Sequence, residues 1–236
     1  MRNSENLNVK KHRMKPNSLH ELLQNILIRN YILVFFVVFT VFIIPVLPAD
    51  WHRRTYSIMF TCIYFLAALS MDRHRRIILI FAVAVILMDW VSEILGFINV
   101  TKVARILSIL FFSLIVVNLI RMIASSKEVN QKVIIEAVNG YLLLSIVFGL
   151  LVYVLTIVNP VSFNFPALAE GNAGSYLSFS QPMYFSLVTT TTLGYGDIAP
   201  QTPVARSLAT FMAVCGQFYI AIIIAMLIGK YLSKKS

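Results

Sequence analysis

The sequence predicts an all-α membrane protein with six membrane-crossing helices and a shorter, re-entrant helix between the fifth and the sixth. Three observations predict it. Of the 236 residues, 58% are hydrophobic and 13% charged, about half the charged share, roughly 25%, of a soluble domain. Mean hydropathy is +0.80. The apolar residues gather into six runs near the length of about 20 residues that a bilayer-crossing helix needs. This composition excludes a disordered chain, a nucleic-acid-binding module and most cytosolic enzymes. Cys62 and Cys215 both fall inside apolar runs, and two cysteines build neither a disulfide framework nor a four-ligand metal site.

Runs 31–49 and 55–71 contain no charge. The third, 77–100, meets Asp89 before it ends. The fourth, 106–120, is flanked by Lys102 and Arg105 on one side and Arg121 on the other. The fifth covers 137–158 and the sixth, again uncharged, 207–229. Between the last two, residues 159–179 are rich in Pro, Gly, Asn and Ser and read as a loop outside the membrane. The apolar stretch that follows, 182–192, is too short to cross and reads as re-entrant. Orientation follows from the basic residues. With the N-terminus inside, 15 of the 20 Lys and Arg fall on the cytoplasmic side, so the net charge of +10 is a positive-inside signal. Both termini are then cytoplasmic, and the re-entrant segment enters a cell membrane from its outer face.

The first 30 residues do not read as a cleavable signal, because the basic region is long and the run behind it spans fully. Ser18 and Glu21 form a capping box. Leu19, Leu22, Leu23, Ile26 and Leu27 share one face, as in an amphipathic helix lying on the cytoplasmic membrane surface. The expected organisation is a basic N-terminus over 1–30, a four-helix domain over 31–124, a linker over 125–132, a second domain over 133–232 and a tail over 233–236. About seven residues follow Gly229, so no tail-borne ligand-binding domain is expected.

Non-helical backbone is tolerated at membrane depth only where protein buries it or it lines a watery path. Thr192, Leu193, Gly194, Tyr195 and Gly196 make such a stretch. Its glycines reach conformations closed to other residues, so successive carbonyls can turn toward one axis. Four such strands around that axis stack rings of oxygen that replace the water shell of a cation. A phosphate loop is a poor alternative: Gly194-Tyr195-Gly196 lacks the further glycine or lysine such loops use.

The run Thr192-Leu193-Gly194-Tyr195-Gly196-Asp197, preceded by Tyr184-Phe185-Ser186 and by three more threonines, resembles the pore of the tetrameric potassium channel family, in its six-span, voltage-gated-like type with a single pore loop. The resemblance covers about 133–232; the first four spans match only in number and placement. It implies a homotetramer, since one chain offers one filter strand, with permeant K+ and membrane lipid as partners, no cofactor and no nucleic acid. Carried over, Thr192, Leu193, Gly194 and Tyr195 offer ion-binding carbonyls, and the Thr192 hydroxyl closes the inner site. Gly196 and Asp197 shape the mouth, Gly216 falls at the gating hinge, and Gln217, Ile220 and Ile224 line the cavity. Two departures stand out. Leu193 replaces the commoner Val, with its side chain expected behind the filter. Phe185 stands where many relatives carry a tryptophan that hydrogen-bonds toward the filter, so a looser aromatic cuff is expected.

In the fourth span Lys102 and Arg105 are three apart, but the register continues through Ser108, Phe111, Leu114, Val117 and Ile120, all uncharged. Two charges in each of four subunits would supply at most roughly 18 kcal/mol per 100 mV. Asp89 and Glu93 share a helix face and are the expected partners of Lys102 and Arg105, as counter-charges in a weak sensor or as an ion pair near the outer interface. The reading is a degenerate sensor-like domain and a potassium-selective channel with weak or no voltage gating. Its rivals are a nonselective cation channel, a non-conducting accessory subunit of a channel, and a membrane enzyme or transporter. The last would need a convergent catalytic or coupling set, and none is evident. The opening stimulus, including an unknown regulatory protein, is not encoded legibly.

Overall fold

Apolar runs of 15 to 24 residues bury their backbone polar groups most economically as helices, and the computed structural model is predominantly helical over its described residues, which are 16–71, 75–95, 98–126, 128–165 and 178–233. The side chains of 16–26, Ala49, Glu93, Ile98 and Ser233 lie outside that description. The helices are α1 (Pro16–Val38), α2 (Ala49–Leu69), α3 (Arg75–Leu95), α4 (Ile98–Ser125), α5 (Gln131–Val158), α6 (Ser180–Thr190) and α7 (Pro203–Ser233). Among the described residues, four stretches are long and apolar enough to cross a membrane: Leu27–Val46, Asn99–Ser125, Gln131–Val158 and Pro203–Leu232. Helices α2 and α3 have 21 residues each, about 31 Å at the helical rise and so of bilayer length. Asp50, Arg53 and Arg54 crowd the start of α2, and α3 carries Asp89.

The helix expected on the membrane surface is not separate. α1 runs from Pro16 to Val38, from the expected surface helix into the first apolar run. It changes character only at Phe39–Ile43, a π-helical turn, followed by a 3₁₀ turn over Ile44–Val46. Pro45 is the physical cause: it has no N–H to give and its ring displaces the carbonyl four residues back, so the preceding turn widens. α4 starts at Ile98, eight residues before its apolar run, and its first turns hold Lys102 and Arg105, the latter with partners described below. α5 starts at Gln131, two residues before the expected boundary. Asn130 sets this start by accepting from the Val133 N–H at 3.1 Å, an N-cap.

One buried cluster joins Val37 of α1 and Ile44 of the 3₁₀ turn after it, Phe60 and Tyr64 of α2, Ala82 and Val85 of α3, Phe111 and Phe112 of α4, and Leu143 and Leu150 of α5. Its centre is aromatic: Tyr64 stacks on Phe112 at 4.9 Å and meets the edge of Phe111 at 5.3 Å. The cluster crosses the boundary expected at 125–132 and takes in Phe179 and Met183 beside α6. A second cluster, with Phe148, Phe163, Phe185 and Met212, ties α5 and α6 to α7. At the other end of the bundle Ile123, Val133, Tyr219 and Ile223 join α4, α5 and α7. There the Lys230 ammonium donates to the Ile123 carbonyl and, at 3.0 Å, to that of Ala124, the favoured place for a cation beside a helix C-terminus.

Candidate functional site

Helix α6 has 11 residues, about 16 Å, half a bilayer. Hydroxyls hold it from behind. Ser186 Oγ donates to the Ser145 carbonyl on α5 at 2.7 Å, and Thr190 Oγ1 donates to the Ser186 carbonyl at 2.8 Å. Tyr141 Oη donates to the Thr190 carbonyl at 3.2 Å. Ser145, Ser186 and Thr190 are all fully buried, so these bonds satisfy groups that would otherwise be costly to bury.

Beyond Thr190 the chain leaves helical geometry in an ordered way. Thr192, Gly194 and Gly196 have φ of +60°, +56° and +80°, while Leu193 and Tyr195 between them do not enter the positive region. Left-handed conformation at every second residue turns successive N–H groups to one side. Here the N–H groups of Leu193 and Gly194 both reach the Val188 carbonyl of α6, at 3.0 and 3.2 Å. Every described peptide is trans, and in a trans unit the carbonyl points opposite to the N–H. The carbonyls of Thr192 and Leu193 therefore face away from α6. Nothing lies within 4 Å of a Cβ placed on Gly194 or Gly196, so those glycines serve conformation, not close packing. Thr192 bears the strain of the same geometry, on the order of 1–2 kcal/mol.

At the mouth, Tyr184 Oη donates to Asp197 Oδ2 at 2.7 Å. This bond holds the Asp197 carboxyl below its ordinary range and pushes the Tyr184 phenol up to about 12. Downstream, the Gln201 N–H donates to the Ser162 carbonyl at 2.8 Å and the Asn164 N–H to Ala199 at 3.3 Å, pinning the segment after Asp197 to the loop after α5. At the opposite end, Gln217 Nε2 donates to Thr192 Oγ1 at 3.3 Å. Gly216, one residue earlier, is buried against the Thr190 carbonyl, where a Cβ would sit at 2.2 Å. α7 runs through Gly216 without a break, so this glycine permits a close approach of α7 to the end of α6. Gln217, Ile220 and Ile224, spaced three and four apart, share one face and are exposed.

The four strand residues, Gly196, Asp197 and Gln217 thus meet in one region. Leu193 and Tyr195 are 56% and 67% exposed in the single chain, so nothing among the described residues covers either side chain. The Phe185 ring is buried edge-on against Phe163 at 5.0 Å, on the α5 side, and a donor at the mouth is its neighbour Tyr184. Sequence reasoning missed Tyr184, Tyr141 and the buried hydroxyls; only the aromatic pair Tyr184-Phe185 hinted at the first.

Far from this region, Arg105 Nη1 lies 3.3 Å from Asp89 Oδ1 and its guanidinium lies over the Tyr153 ring of α5 at 5.8 Å. The Tyr64 hydroxyl is 3.0 Å from Asp89 Oδ2 and 2.7 Å from Ser108 Oγ. Ser108 and Phe111, where further charges would continue the register, are buried. Lys102 is half-buried, and the Glu93 side chain lies outside the described residues.

Residues 140–233 match the family model described as an ion channel. No curated protein and no solved structure matches the chain. The matched stretch runs from within α5 through the re-entrant segment to α7, and it supports an ion-channel family for that part of the chain.

Proposed function

We propose that this chain is one of four identical subunits of a potassium-selective channel that conducts K+ passively through the Thr192–Tyr195 strand. The observation that carries the reading is the left-handed backbone at 192, 194 and 196, with the neighbouring N–H groups turned back to Val188. Carbonyls left facing the other way are the oxygen ligands a dehydrated K+ requires. α6 adds to this, because its C-terminal end carries partial negative charge and runs directly into the strand.

One strand is one wall of a filter. Exposed Leu193 and Tyr195 and the exposed face of α7 support a tetramer, for only 22% of the α7 span is buried against 50% of the α5 span. In that assembly Thr192, Leu193, Gly194 and Tyr195 bind ions, Asp197 braces the mouth through Tyr184, and Gln217, Ile220 and Ile224 line the cavity. Bending of α7 near Gly216 would gate the inner end, moving the residue that touches Thr190. The six-span topology, with both termini cytoplasmic, rests on the lengths of α2 and α3 and on the basic-residue asymmetry.

Voltage dependence is weak in this reading. Steep sensors move three or four charges per subunit; here only Lys102 and Arg105 are available, and Arg105 is tied to Asp89. The test is flux. Purified protein in vesicles loaded with K+ and diluted into Na+ should drive proton uptake through a protonophore. The reading fails if Na+-loaded vesicles respond equally, which would indicate a nonselective pore, or if intact tetramers give no flux.

A further inference from the structure

We propose that His52 is a proton-binding site through which acid on the mouth side of the membrane loosens the first turn of α6 and suppresses conduction; the inference rests on the channel reading above. His52 lies in the first turn of α2, at the end of the bundle that also holds the loop after α5 and the segment following Asp197. Its Nε2 is 2.8 Å from the Leu47 carbonyl and its Nδ1 is 3.1 Å from Ser178 Oγ, two residues before α6 begins. A carbonyl only accepts, so Nε2 carries the proton. In the neutral ring Nδ1 is then an acceptor, and the Ser178 hydroxyl donates to it.

Ser178 has no capacity beyond that arrangement. Its oxygen already accepts from the Ser180 hydroxyl at 2.9 Å and from the Ser180 N–H at 3.4 Å. Thus one donated and two accepted bonds use the whole hydroxyl. Protonation at Nδ1 places a donor where a donor already points. Ser178 must rotate, releasing one Ser180 contact at the helix start, and the imidazolium charge comes to rest beside a helix N-terminus, where positive charge is disfavoured.

The same turn of α6 is gripped by α2 through Phe179, whose ring meets Tyr56 edge-on at 5.5 Å and Phe60 at 5.3 Å. Loosening is therefore passed along α6 to Val188, which holds the strand. Among the described residues, the ionisable groups around His52 are Asp50, Arg53 and Tyr56 on α2, the last 6.2 Å away ring to ring, and Tyr153 of α5 behind Phe179. The first residues of α6, Ser180 and Gln181, bring none.

The experiment is K+ current through the purified full chain in a planar bilayer, with pH stepped from 8 to 5.5 on one side at a time. Across this interval Asp197, held low by Tyr184, stays ionised. The expected result is a fall in current of about threefold to tenfold, the scale of one hydrogen bond per junction, with acid on the mouth side only. His52→Gln keeps a neutral donor and acceptor and should carry a pH-independent current. Ser178→Ala removes the crowded oxygen and should shrink the response at least twofold. The proposal is overturned by no fall in the native chain, by an equal fall in His52→Gln, or by an undiminished response in Ser178→Ala. A current at pH 8 that does not select K+ fails the channel reading instead.

Discussion

Gly216→Ala is the sharpest local test of how α7 meets the re-entrant segment. The added methyl would lie 2.2 Å from the Thr190 carbonyl oxygen, 2.9 Å from its carbon and 3.0 Å from its Cα. Contact distance is about 3.5 Å, so α7 and the end of α6 must part by about 1 Å. The obstacle is backbone, and that carbonyl also accepts the Tyr141 hydroxyl, so no side-chain rotation relieves it. Alanine favours the helix by about 1 kcal/mol, while overpacking of this kind costs about 1–3 kcal/mol. The net expectation is a loss of up to about 2 kcal/mol per chain.

Function should suffer more than stability, because the displaced atoms lie two residues before Thr192 and beside the Gln217–Thr192 bond. Gly229→Ala is the control on the same helix: nothing lies within 4 Å of its Cβ, so helix propensity alone operates and stability should rise by up to about 1 kcal/mol. Thermal unfolding in detergent and K+ flux of both variants make the comparison. A Gly216→Ala protein as stable and as conductive as Gly229→Ala would refute the packing described here. It would equally remove any need for glycine at a hinge.

Other variants probe the remaining parts. Tyr184→Phe deletes the bond to Asp197, whose carboxyl then returns toward about 3.9. In the native chain that bond contributes fully above the ordinary carboxylate range and is lost as pH falls through the lowered value, so the variant should carry less K+ current at neutral pH and Asp197 should titrate at a higher pH. Currents recorded at mouth-side pH 7, and then from pH 5 to 3, check both. Gly194→Asp forces a side chain onto a left-handed position, at a cost of about 1–2 kcal/mol, and Tyr195→Ala strips the strand of its largest side chain; each should abolish conduction or K+ selectivity in flux assays. Arg105→Gln removes a charged partner of Asp89, which is 10% exposed, and should destabilise the chain by up to roughly 3–5 kcal/mol in thermal unfolding. The conductance–voltage curve should be shallow with and without it, and a steep native curve flattened by the change would sink the weak-sensor reading.

How much of this was legible beforehand varied with the range of the interaction involved. The long helices α5 and α7 follow from uninterrupted apolar runs, and the strand from Gly194 and Gly196, because both signals are local. The Asn130 cap of α5 was not anticipated: the expected boundary fell at 133, two residues after the helix begins. Nor was the start of α4: Asp89 was an expected partner of Arg105, but that Lys102 and Arg105 lie within the helix, with Tyr153 beneath the guanidinium, depends on how α4 meets α5. The same holds for Tyr184, whose partner is across the strand turn, and for His52, which meets Ser178 from 126 residues away. Gly216 could be picked out by counting from Asp197, yet its close contact with Thr190 depends on how two helices approach. That Phe185 is buried against Phe163 while its neighbour Tyr184 reaches Asp197 was equally illegible, since composition does not say which of two adjacent aromatics faces the mouth.

The central claim is selective K+ passage through Thr192–Tyr195, and the reversal potential tests it most directly. Purified protein in a planar bilayer, with K+ on one side and Na+ on the other at equal concentration, should reverse far toward the potassium equilibrium potential. Reversal near zero with robust current would contradict the account: it would mean that the left-handed strand forms a pore whose carbonyls do not discriminate between the two ions.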